Sequence, residues 1–202
     1  MKQYRIPYCP DQPDWNSIPR LEIDTTYFET PSHIRAYAQL AYDDHSLSVH
    51  LRMDVPEIRA EETGPIGSPC NDSCLEFFFC PVPGDPRYMN IEFNFNGCMY
   101  LGIGSGIKDL TRLIPNQKQN PLEPRISATP TGWEITYRIP DAFVRRFFPT
   151  FQITGGQSIR ANCYALAEQA EPPYFLSWNP VDEENFTFHR SQCFGLMIFS
   201  QQ

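Results

Sequence analysis

Apolar residues recur at every second position in one segment of this chain after another, which is the period of a half-buried β-strand. In LSVHLRM, Leu47, Val49, Leu51 and Met53 share one face, and Ser48, His50 and Arg52 the other. CLEFFFC sets Leu75, Phe77 and Phe79 against Cys74, Glu76, Phe78 and Cys80. The clearest run is NIEFNFNGCMYLGIG. There Ile91, Phe93 and Phe95 alternate with Asn90, Glu92 and Asn94. Asn96-Gly97 then reverses the chain in a tight hairpin, and Met99, Leu101 and Ile103 return. WEITYRIP alternates Trp133, Ile135, Tyr137 and Ile139 with Glu134, Thr136 and Arg138. SIRANCYAL alternates Ile159, Ala161, Cys163 and Ala165 with Arg160, Asn162 and Tyr164, and FGLMIF reads as a closing strand.

One helix is expected, over 141–148: Asp141 can cap it, Phe143 and Phe147 lie one turn apart, and Pro149 ends it. Segment 104–127 has no period and reads as a long loop. With 20 prolines and 11 glycines among 202 residues, the chain is cut into short segments, which favours strands over long helices. No repeat or linker interrupts it. The pattern predicts a mainly β chain, an antiparallel β-sandwich forming one domain over 1–202, with its first 15 or so residues partly peripheral.

A formal charge of −8 and a pI near 5.0 repel a polyanion, so nucleic acid is not an expected partner. No stretch approaches the roughly 18 apolar residues of a membrane helix, and the N-terminus lacks the apolar run of a signal peptide; a cytoplasmic location is the expectation. The seven cysteines form no CxxC pair and sit mostly inside apolar patterns, where a free thiol behaves as a small hydrophobe.

Chemistry has few places to reside. GxSxG is absent, and Gly102, Gly104 and Gly106 lack the spacing of a phosphate loop. What stands out is the polar face of the strands: His50, Arg52, Glu76, Asn90, Glu92, Asn94, Tyr100, Arg160, Asn162 and Tyr164. Amides, guanidinium groups, phenols and isolated carboxylates offer directed donors and acceptors suited to sugar hydroxyls. Trp178, followed by Asn179 and Pro180, offers a ring for the C–H face of a sugar; the alternative is that it plugs one end of the core. Glu76 and Glu92 also admit a rival reading as a glycosidase pair if their strands are neighbours. A third reading is a protein-interaction sandwich using the same face.

The runs LAYDDHSLSVHLRM, DSCLEFFF, YMNIEFNFNG and WEITYRIP, with the ending LSWNPV…FHR…CFGLMIF, resemble the family 9 carbohydrate-binding modules in their bacterial family 9-like branch, over about residues 35–199. The resemblance implies a DOMON-like, jelly-roll-like β-sandwich that binds a mono- or oligosaccharide without catalysing its cleavage and needs no cofactor. In such modules two tryptophans clamp a terminal sugar. Trp178 matches the second, while the loop before DSCLEFFF, residues 57–71, contains no aromatic residue for the first. Around the sugar the resemblance leaves Asn179, Arg160, Asn162, Tyr164, Glu92, Asn94, Tyr100 and Glu76 as the polar contacts. Some members bind calcium structurally; no ligand set for it stands out in this sequence.

Overall fold

A computed structural model describes residues 1–116 and 119–201. The alternating segments become strands of two sheets. The larger sheet has the strand order β1(Gln3–Ile6), β14(Gly195–Phe199), β12(Ser158–Ala167), β6(Cys74–Cys80), β7(Tyr88–Asn94), β8(Met99–Gly104), β9(Thr111–Leu113). Beside β12 lies β13(Tyr174–Ser177), which pairs in turn with β3(Thr25–Tyr27). The smaller sheet has the order β10(Arg125–Thr129), β11(Gly132–Pro140), β5(Ser46–Asp54), β4(Arg35–Tyr42), β2(Leu21–Ile23). The ladders are antiparallel except for β1 on β14.

The inward positions are the ones the alternation picks out. Leu75, Phe77, Phe79, Ile91 and Phe93 meet Leu47, Val49, Leu51, Met53, Trp133, Ile135 and Ile139 in one core. The hairpin follows its predicted register: Phe93 opposes Met99, Tyr88 opposes Gly104, and Gly97 takes the positive φ of 76° that its turn requires. Phe95, at the hairpin's end, is only half-buried.

Two expectations change. The helix α1 spans only Asp141–Val144, and Pro140 stands at its N-cap. Asp141 instead pairs with Arg145 at 2.7 Å, and turns carry the chain on to the buried Phe148. Segment 104–127 is not all loop: β9 adds to the sheet edge, too short at three residues to display a period. The N-terminal stretch enters the sheet as β1, with Ile6 fully buried, while residues 10–12 lie exposed. Among the described residues all seven cysteines are free, and no helix is long and apolar enough to cross a membrane.

The larger sheet is covered on both faces. Its outer face carries a second apolar cluster, in which Phe78, Tyr88 and Tyr164 pack against Val181, Phe188 and Phe194 of the segment leading from β13 to β14. This layer decides what the polar face can do.

Candidate functional site

The polar residues expected on one face divide between two. His50 and Arg52 lie on the smaller sheet, where His50 bonds Gln39 and Glu134 and Arg52 bonds Asp54. The rest lie on the larger sheet. Alternation assigns a side chain to one side of its strand but leaves open which sheet the strand joins.

On the larger sheet, register brings the carboxylates together. Glu76 on β6 is the cross-strand partner of Glu92 on β7, which is itself opposite Tyr100 on β8. Glu76 and Glu92 are 2% and 5% exposed. Cys74, two residues before Glu76 on the same face, places its thiol 3.7 Å from Glu76 Oε1. Asn90 Nδ2 donates to Glu92 Oε1 at 2.6 Å. Gly102 makes room for that amide: a Cβ there would lie 2.1 Å from Asn90 Oδ1. Glu76 Oε2 and Asn90 Oδ1 have no hydrogen-bond partner.

Arg112, from the expected loop, completes the rim. Its guanidinium carbon sits 4.5 Å above the Tyr100 ring and its nitrogens donate to the carbonyls of Ile66, Gly67 and Met99. Burial raises the Glu92 carboxyl to about 8, with the Asn90 hydrogen bond and the Arg112 charge pulling the other way. Burial, and then the neighbouring Glu92, push Glu76 well above the usual carboxylate range. Near neutrality the pair therefore holds protons, and a protonated carboxyl both donates and accepts.

Other predicted contacts are engaged by the fold. Asn94 Nδ2 donates to Glu62 O and Asp72 Oδ2, and its Oδ1 accepts from Cys98 N. Asn162 exchanges hydrogen bonds with the backbone of Asn179, whose own amide bonds Cys193 O and Lys2 N. Tyr164 OH donates to Phe188 O beneath the covering segment. These side chains are buried and hold loops to the sheet, so the expectation that Asn94, Asn162, Asn179 and Tyr164 present free groups is corrected. Arg160 is exposed and donates to Gln192 O, lining a separate cleft with Ser158 and Ser191.

Trp178 is corrected most plainly. It is 4% exposed and belongs to the main core. Its ring lies over Gly195, where a Cβ would come within 2.5 Å of Cζ3. The backbone N–H of Trp178 still bonds Cys163 O, which directs the side chain inward at the end of β13. In this conformation the indole is no platform for a sugar. Half-exposed and exposed rings occur instead around the covering segment. Phe188 stacks on Tyr164 at 4.0 Å, Phe186 lies 5.2 Å from Phe188, and Phe28, 70% exposed, lies 4.8 Å from Phe186. The signals that could have marked these were the spacing NFTF and Arg112 within an aperiodic stretch.

The cluster of buried carboxyls does not suit calcium. Among the described residues, the one group of three or more potential metal ligands is Cys74, Glu76 and Glu92. A hard cation that takes six to eight oxygens finds two carboxylates and a thiol there.

Comparison with known proteins bears on the fold and the family. The profile of carbohydrate-binding family 9 matches residues 9–199. The chain is similar to a protein of Bacteroides uniformis provisionally described as carbohydrate-binding: identity is 25%, 98% of this chain and 99% of that one are covered, and the TM-score is 0.81. It is also similar to a family 9 carbohydrate-binding module from Caldicellulosiruptor kristjanssonii solved with cellotriose, at 12% identity and TM-score 0.70 over 100% of this chain and 95% of that one. The same module solved with glucose gives 12% identity and a TM-score of 0.69 over 100% and 97% of the two chains. No curated protein matches.

Proposed function

The chain belongs to carbohydrate-binding family 9, and from that premise we propose that it binds a mono- or oligosaccharide, without cleaving it, on the outer face of its larger sheet. The observation that carries the reading is the half-buried rim of Tyr100 and Arg112 over the side-by-side carboxyls of Glu76 and Glu92, both shifted upward by burial. Neighbouring carboxyls that each donate and accept can satisfy adjacent sugar hydroxyls in both senses. Phe186 offers a half-exposed apolar ring on the segment that covers this face, in the role first expected of Trp178. The complexes of the Caldicellulosiruptor module make glucose and cello-oligosaccharides the first ligands to try.

The same geometry weighs against a glycosidase. Catalytic carboxyl groups stand about 5–9.5 Å apart and flank the bond they cleave. Here the two project from adjacent strands of one wall, almost fully buried, with a pair of oxygens within 4.8 Å of each other. Titration calorimetry with these sugars, followed by a glycan array, tests the reading. Glu92→Gln and Tyr100→Ala are expected to weaken binding at least tenfold with the melting temperature retained. Absence of binding across the array, or release of a cleaved product, overturns it.

A further inference from the structure

We propose that Cys74, Glu76 and Glu92 form a binding site for a divalent cation of borderline softness, of the zinc type, at the same carboxyl pair that the preceding reading gives to a sugar. One ligand atom from each lies within 4.8 Å of the others, and all three residues are buried. The arrangement follows from β geometry: Cys74 and Glu76 are two positions apart on β6 and so share a face, and Glu92 is the cross-strand partner of Glu76. The separation of Cys74 Sγ from Glu76 Oε1, 3.7 Å, is close to the tetrahedral edge of about 3.5 Å that follows from Zn–S near 2.3 Å and Zn–O near 2.0–2.2 Å. Small rotations of the glutamate side chains close the remaining gap. Three ligands leave one position of the tetrahedron for water or another oxygen.

Two independent observations point to a ligand here. Glu76 Oε2 and Asn90 Oδ1 lack partners although both residues are almost fully buried, a state that few native polar groups tolerate. Asn90 is also seated on Glu92, donating to Oε1 at 2.6 Å, as an outer residue holds a metal-ligating carboxylate in orientation. A cation held between the carboxylates would give Glu76 Oε2 a partner. The thiol selects against calcium and magnesium and for zinc or a similar metal.

The surroundings are consistent with this. The exposed Glu168 lies within electrostatic reach of Glu76 and adds negative charge on the approach. Arg112, acting on Glu92, opposes this.

The test uses the whole chain stripped of metal and free of sugar. Zinc is titrated against a chromophoric chelator, and cobalt(II) is added while the near-ultraviolet thiolate-to-metal charge-transfer band is followed. The expected result is saturable uptake of one ion per chain with the thiolate band. Cys74→Ser should abolish the band, and Cys74→Ser and Glu92→Gln should each weaken zinc at least tenfold, with circular dichroism showing both variants folded. No saturable uptake, uptake without the thiolate band, or uptake unchanged in both variants overturns the site. Loss of saccharide binding with metal uptake intact overturns only the preceding proposal.

Discussion

The indole of Trp178 fills space that no smaller side chain at that position can fill, because Gly195 is flush against it. Trp178→Ala is therefore expected to cost about 3–5 kcal/mol in urea unfolding; a loss below about 1 kcal/mol would mean the ring is not packed as described. The buried carboxyl pair makes a second residue-scale prediction. Glu92 keeps its proton to about pH 8 in the folded chain but loses it near its ordinary value of 4.5 when unfolded. Folding then takes up protons, and stability falls as pH rises through that window. His189, lowered to about 4 by burial, and His50, also lowered, act in the opposite sense, adding stability as pH rises toward 6.5. The carboxyls thus stand alone between about pH 6.5 and 8. In metal-free buffer the melting temperature should fall across that range, and Glu92→Gln should flatten the slope and raise the value at pH 8. A flat wild-type profile would contradict the buried, protonated pair.

At the scale of elements, loop 57–71 is tied to the sheet by one carboxylate. Asp72 is fully buried and accepts from Glu61 N, Glu62 N and Asn94 Nδ2, with Arg59 Nε 3.4 Å away. Its removal leaves several buried donors and a cation without partners. Asp72→Ala should cost about 3 kcal/mol or more and speed hydrogen exchange at the amides of Glu61 and Glu62. Unchanged exchange there would show that the loop is held by other means. The segment between β13 and β14 is held differently, by aromatic stacking of Phe188 on Tyr164 and by the amide of Asn179. The carboxyl pair lies on the sheet face reached by both connections, so changes in either are expected to be felt there.

For the molecule as a whole, the two sheets bury one core between them, and a second cluster covers the outer face of the larger sheet around Phe78, Tyr88 and Tyr164. Such double covering explains why cysteine is frequent here without cross-links: Cys74, Cys80, Cys98 and Cys163 are buried, the first two in the second cluster and Cys163 in the main core. Alkylation of the unfolded chain should modify all seven thiols equally with and without reductant. Fewer modified thiols in the unreduced sample would reveal a disulfide.

The sequence by itself determined the strands, the Asn96-Gly97 hairpin and the inward faces, because a period of two and a turn dipeptide are local properties that the pleat and steric limits translate directly. It also marked Glu76 and Glu92 as polar positions in apolar strands, and carried enough distributed likeness to point to family 9. Tertiary structure alone decided the rest. Whether β5 and β6 share a sheet, whether an outward face meets water or the chain segment from β13 to β14, and whether Trp178 turns in or out all depend on contacts between residues far apart in the chain. Cys74, Glu76 and Glu92 converge through the register of β6 on β7, and Arg112 reaches the rim through a three-residue edge strand. Alternation carries the side of each strand; only pairing and packing say what lies across from it.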